Sequence, residues 1–120
     1  MESVAEGYRL LKEGPYKNID LYKAGDVWQH HSVITSWLNE LTRDVLKEDK
    51  ELKNIPGIVF ESGATRWALE VAKNSNIETP AIEASFNVRL NSQKGEINFA
   101  TKLLSAMRHA FGGHEMNKDK

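Results

Sequence analysis

The chain has no cysteine, only three prolines and almost no net charge, with 16 basic against 17 acidic residues in 120. Without cysteine there can be no disulfide and no thiolate-based metal site. With a formal charge of -1 there is no bulk electrostatic case for nucleic acid as a partner. No apolar run exceeds a few residues, so no stretch reads as a membrane-spanning helix. The start carries no secretory signal, which fits a cytoplasmic protein. Several chemical signatures are missing as well. There is no HExxH or EF-hand pattern, no GxSxG elbow, no Gly-rich phosphate loop and no GxGxxG after a strand. His30 and His31 are adjacent, and His109 and His114 do not have the i, i+4 spacing of a helical metal pair, so no metal site is expected.

What is present is helical periodicity, interrupted by a few Gly and Pro residues. The length fits a single domain, residues 1–120, with one core. Residues 1–12 read as a helix with Val4, Ala5, Tyr8 and Leu11 on one face, ended by Gly14-Pro15. It has no capping residue in front, as if the helix were cut within its pattern. Asn18 is a candidate cap for a second helix from Ile19 to about Gln29. Residues 33–47, with Ile34, Trp37, Leu38, Leu41, Val45 and Leu46, read as the central core helix. The short apolar run Ile58-Val59-Phe60 has no second strand to pair with, which favours an irregular or helical segment. Ala64 to Ser75 reads as a helix. Thr79-Pro80 opens another, running to about Asn91. The clearest amphipathic pattern closes the chain, with Ile97, Ala100, Leu104, Met107 and Phe111 in register and a stop at Gly112-Gly113. About six helices are expected, in an all-α domain.

Polar residues gather at helix ends. Arg108 falls in the last turn of the final helix and His114 just past its stop. A guanidinium and an imidazole held together could grip a phosphate, because Arg presents a planar fork of donors and His adds another. The plainer reading of the spacing is a charge complementing the helix dipole and a frayed tail. Spacing alone leaves both open.

Five stretches, in order, add a family resemblance: Glu-Gly-Tyr-Arg-Leu-Leu (6–11), Trp-Gln-His-His-Ser-Val-Ile-Thr-Ser-Trp-Leu (28–38), Ser-Gly-Ala-Thr-Arg-Trp-Ala (62–68), Glu-Ala-Ser-Phe-Asn-Val-Arg-Leu (83–90) and the closing Arg-x-x-Phe-Gly-x-His of Arg108 to His114. Together they resemble the C-terminal helical domain of the 6-phosphogluconate dehydrogenases, in the shorter, bacterial-type form of the decarboxylating enzyme, over nearly the whole chain.

The resemblance implies a parent enzyme that oxidises and decarboxylates 6-phosphogluconate to ribulose 5-phosphate. It would bind NADP or NAD on a Rossmann domain absent here, and its catalytic Lys and Glu would lie just before Met1. This chain would bind no cofactor by itself and hold no catalytic residue. It would contribute to a homodimer and to substrate binding, through Arg108 and His114 reaching a neighbouring subunit's site. Two departures qualify this. Ser62-Gly63-Ala64 stands where the longer form has Lys and Thr contacts. Val88 stands where the resemblance implies an Arg, with Arg89 one residue further on, a rotation of roughly 100° on a helix. A different class of reading is a stand-alone helical interaction module without a ligand.

Overall fold

The computed structural model describes residues 1–116, which form six helices and no strand. They are α1 (Glu2–Glu13), α2 (Leu21–Gln29), α3 (Trp37–Glu48), α4 (Ala64–Asn74), α5 (Pro80–Gln93) and α6 (Phe99–Gly112). The all-α class expected from periodicity is the class observed. None of the described helices is long and apolar enough to cross a membrane.

α6 is the axis of the fold. Asn98 starts it with a reciprocal cap: its side chain accepts from Thr101 N–H at 3.1 Å, while Thr101 Oγ1 accepts from Asn98 N–H at 3.0 Å. Nine of its 14 residues are buried, including Thr101, Ser105 and Arg108 as well as Leu103, Leu104 and Met107. The burial is wider than one apolar stripe, and it marks a helix with neighbours on several sides. α1 packs on it through Ala5 and Tyr8, and α3 through Leu46. α2 lies along α3.

One buried amide joins α1, α2 and α3. The Tyr8 hydroxyl donates to Asn39 Oδ1 at 3.0 Å, and Asn39 Nδ2 donates to Gly25 O at 3.1 Å and Gln29 Oε1 at 2.9 Å. Each member of this network has a partner, which is the condition for burying polar groups without a large desolvation cost. Trp28 meets the Tyr8 ring edge-on at 5.0 Å between centroids.

Two helix starts differ from expectation. Asp20, not Asn18, caps α2, accepting from Lys23 N–H at 3.1 Å; Asn18 has a left-handed backbone, φ 64°, and lies outside. α3 begins at Trp37, with Ser36 as its cap accepting from Asn39 N–H at 3.1 Å, so residues 33–35 are not helical. The reason is local competition. Ser32 Oγ donates to Trp28 O, and Thr35 Oγ1 lies 3.2 Å from both Trp28 O and Gln29 O, which ties these hydroxyls to the end of α2. As a result Val33 and Ile34 are exposed, and so is Trp37, at 63%. α3 buries Asn39, Thr42 and Leu46, and the central position belongs to α6.

Residues 53–61 begin in a turn and continue as an irregular segment that pairs with no strand. α5 supplies what a strand would: Ser92 Oγ accepts from Val59 N–H at 2.9 Å, and Gln93 Nε2 donates to Val59 O at 3.1 Å. Gly57 lets this segment press on the start of α6. Its φ is +79°, and a Cβ there would stand 2.8 Å from Lys102 Cγ and 2.9 Å from Ile97 Cγ2. α4 and α5 pack mainly on each other, and α5 alone of the two packs appreciably on α6. Thr79 occupies the cap position before Pro80, but its hydroxyl makes no capping bond.

Burial of Tyr8 has a consequence for alkaline stability. Desolvation pushes its phenol up to about 12, against a smaller opposing pull from Arg43. In the unfolded chain the phenol ionises near 10. The stabilisation is therefore complete below pH 10 and is lost as pH rises from 10 through 12. Urea midpoints should fall across that window by the equivalent of roughly 2–3 kcal/mol. Tyr8→Phe should be weaker at neutral pH by about 1–3 kcal/mol, for the Asn39 partner it strands, and should lack that share of the alkaline loss.

Candidate functional site

The end of α6 carries both residues expected to bind an anion. Gly113, φ 61°, takes the left-handed cap position and donates its N–H to His109 O at 2.8 Å. The chain then turns back, and His114 Nδ1 lies 3.0 Å from Arg108 O. A carbonyl can only accept, so Nδ1 carries the hydrogen and Nε2 is left for another partner. His109 Nδ1 in turn donates to His114 O at 3.1 Å. Two carbonyls that a helix end and its tail would leave open are thereby satisfied by imidazoles. The His114 ring also lies 5.3 Å from Phe111, and Phe111 lies 6.4 Å from Trp37, centroid to centroid.

Arg108 is not a solvated charge at a helix terminus: it is only 6% exposed. Its Nη1 donates to Phe60 O, tying the extended segment to α6. Burial holds its guanidinium below the usual arginine range; Arg89 adds to this by like charge, and Glu2 opposes it. Arg89 itself is engaged by Glu2, Nε to Oε1 at 2.5 Å, with both side chains largely buried. The start of α1, the middle of α5 and the end of α6 thus bring one carboxylate and two guanidiniums into mutual influence.

Arg108 and His114 line one pocket of about 240 Å³, together with Ile58, Val59, Phe60, Glu61, Ser62, Ser105 and Glu115. Arg89 is not among its lining residues. Ser105 lies one turn before Arg108 and so shares its face of α6. Glu61 is held by Arg66, whose Nε and Nη2 donate to Oε1 at 2.9 and 2.5 Å; its Oε2 is buried without a hydrogen-bond partner. The pocket combines a cation and an imidazole with carboxylates and a hydroxyl, a donor and acceptor set suited to a small anion that also carries hydroxyl groups. No cluster of three His, Asp or Glu able to hold a metal occurs among the described residues.

Of the candidates named from sequence, Arg108 and His114 come together on one pocket, and Arg89, paired with Glu2, does not line it. Glu61, Ser105 and the Phe60 carbonyl were not anticipated. Ser105 had a signal, its i–3 spacing from Arg108; the other two arrive through the path of an irregular segment, which has no periodicity to read.

No family model matches the chain. Over 118 residues, 98% of its length, it is 36% identical to a Bacillus subtilis (strain 168) protein provisionally named 6-phosphogluconate dehydrogenase YqeC. Over 117 residues it is 30% identical to a Haloferax volcanii protein named 6-phosphogluconate dehydrogenase, NAD(+)-dependent, decarboxylating. Over 114 residues it is 30% identical to a Synechococcus elongatus protein named 6-phosphogluconate dehydrogenase, decarboxylating. The chain spans 39%, 38% and 24% of these three relatives.

The seat of His114 can be tested at Gly112. A Cβ there would lie 2.5 Å from both Cε1 and Nδ1 of the imidazole. Alanine suits a helix better than glycine by roughly 1 kcal/mol, so the backbone itself should tolerate the change. Gly112→Ala should therefore leave helix content unaltered yet expel the ring, with loss of Phe111–His114 ring NOEs. Retention of those NOEs would mean that the tail is not seated through Gly112.

Proposed function

The chain is related along almost its whole length to part of the 6-phosphogluconate dehydrogenases, and on that premise we propose that it is the C-terminal substrate-binding and subunit-pairing domain of such an enzyme. The observation that carries the reading is the pairing of a buried guanidinium, Arg108, with an imidazole, His114, on one small pocket. In the parent, a bound NAD or NADP would accept the hydride from C3 of 6-phosphogluconate as the C3 hydroxyl gives up its proton. The 3-keto acid then loses CO2, and the enediol left behind takes a proton to become ribulose 5-phosphate. The nicotinamide and the acid–base pair belong to parts of the parent outside this chain. Arg108 and His114 bind the phosphate, and Arg89, committed to Glu2, supports the field around Arg108 without a direct contact.

The pocket volume supports a share in a larger site. Pockets that enclose a whole drug-sized ligand run from about 300 to 1,000 Å³. At about 240 Å³ this one is scaled to the phosphate end of a sugar acid rather than to sugar and nicotinamide together.

Subunit pairing rests on α4 and α5. Trp67, 68% exposed, and Val71, Ile77 and Ile82 leave an apolar surface on a helical pair only lightly attached to the core. The partner we assign is a second copy of the chain. Sedimentation at micromolar concentration should give twice the 13.6 kDa mass, and Trp67→Glu should shift the chain toward monomer. A single 13.6 kDa species at high concentration would rule this pairing out.

The phosphate assignment is tested by kinetics on the longer parent with 6-phosphogluconate varied. A charged, bidentate contact is worth about 1.5–3 kcal/mol. If it acts equally on ground and transition states, Arg108→Ala should raise KM by roughly 10- to 150-fold with kcat little changed. Arg108→Lys should recover part of the loss, because a point charge cannot reproduce the planar fork. Values within about twofold of wild type would reject the assignment.

A further inference from the structure

Four hydroxyl side chains are buried among the described residues, at Thr42, Ser92, Thr101 and Ser105. Three of them turn back onto a backbone carbonyl of the same helix or its cap. Thr42 Oγ1 donates to Leu38 O at 2.7 Å, Ser92 Oγ to Arg89 O at 2.7 Å and Thr101 Oγ1 to Asn98 O at 3.0 Å. Ser105 differs. It is only 4% exposed, yet its hydroxyl bonds to no group among the described residues. It lines the Arg108–His114 pocket from the face of α6 that also carries Arg108. A buried hydroxyl normally has a partner, so one that meets a pocket without any has its donor free for a ligand.

The other polar groups of the pocket wall leave that role open. Arg108 Nη1 is engaged by Phe60 O, and His114 Nδ1 by Arg108 O, so the remaining guanidinium N–H groups and His114 Nε2 face a ligand. Glu61 and Glu115 are acceptors and have no donor to offer an anion. Glu61 Oε1 takes two bonds from Arg66, whose guanidinium lies 5.2 Å from the Phe86 ring centroid, and Oε2 is buried. Glu115 and Ser62 are exposed and hydrated. Ser105 is the neutral donor shielded from water.

We propose that Ser105 is a specificity-determining residue of this pocket, its hydroxyl donating to one oxygen of a phosphate group whose other oxygens Arg108 and His114 hold. A phosphate ester presents three terminal oxygens. A carboxylate presents two, which the guanidinium and imidazole already occupy. Ser105 therefore favours phosphate over carboxylate, and in a sugar acid that carries both it selects the end that enters. Being neutral, it adds this contact without a second buried charge. The inference rests on the phosphate role proposed for Arg108 and adds to it a residue that discriminates.

The rival account is structural: the hydroxyl turns to a carbonyl one turn back, or to the unpartnered Glu61 Oε2, and steadies the fold. Ser105→Ala separates the two. Alanine is the better helix former and no bond present in the structure is lost, so Tm should stay level or rise. The 120-residue chain is titrated with inorganic phosphate and, separately, with acetate, followed by the amide shifts of Phe60 and Arg108, with Arg108→Gln as the control for site. Ser105→Ala should weaken phosphate by about threefold or more and leave the acetate response within about twofold. Arg108-dependent phosphate binding that Ser105→Ala leaves unchanged overturns the role of Ser105 and leaves the phosphate assignment standing. Equal weakening of phosphate and acetate, or a lowered Tm alongside the lost affinity, overturns it in the same way. No Arg108-dependent response to phosphate in the wild-type chain overturns both.

Discussion

The buried guanidinium of Arg108 is the constraint on which the site depends. A cation taken out of water must find hydrogen-bond acceptors and compensating charge, because an isolated buried charge is far too costly to persist. Here the acceptor is the Phe60 carbonyl, and the carboxylate that favours the charged form is Glu2, itself paired with Arg89. The first requirement draws residues 53–61 against α6. The second is met only in part, since Glu2 on α1 favours the charged guanidinium while Arg89 on α5 opposes it. The pocket lies where residues 58–62 meet the end of α6 and the turned-back tail at His114 and Glu115.

This explains which parts of the protein could be read from its sequence. Six helices were legible, most from apolar residues recurring at helical spacing and α5 from its Thr79-Pro80 start. Their starts were less so. Val33 and Ile34 continue the apolar pattern of α3, but Ser32 and Thr35 turn their hydroxyls onto the end of α2 and hold that stretch out of the helix. A pattern of apolar residues also understates burial where the buried groups are polar. Asn39, Thr42 and Thr101 sit inside because each is hydrogen-bonded, and a stripe of hydrophobic residues does not count them. Leu52 is the reverse case: a fully buried leucine with φ 50°, a backbone state that no local propensity would assign to it.

The same division applies to the site. Arg108 and His114 could be named in advance because Gly112-Gly113 marks where the helix stops and the chain turns back. Gly112 has a second use that composition does not reveal, as the imidazole occupies the space a side chain would take. Glu61 and Glu2 could not be named, since their approach depends on tertiary paths. The register concern over Arg89 takes a physical form: its side chain is turned to Glu2 and does not line the pocket.

The groups in the pocket also limit the chemistry this part of the protein can contribute. Arginine stays protonated throughout the range in which enzymes work, so Arg108 can orient and neutralise an anion but cannot shuttle a proton. Glu61 has one oxygen fixed by two bonds from Arg66, which holds the carboxylate in place on the pocket wall. His114 has Nδ1 committed to a backbone carbonyl, leaving a single ring nitrogen for a ligand. Each of these side chains is restrained by a protein partner before any ligand arrives, and such restraint lowers the entropy lost on binding. A set of preplaced contacts on a rigid helix end is a recognition surface.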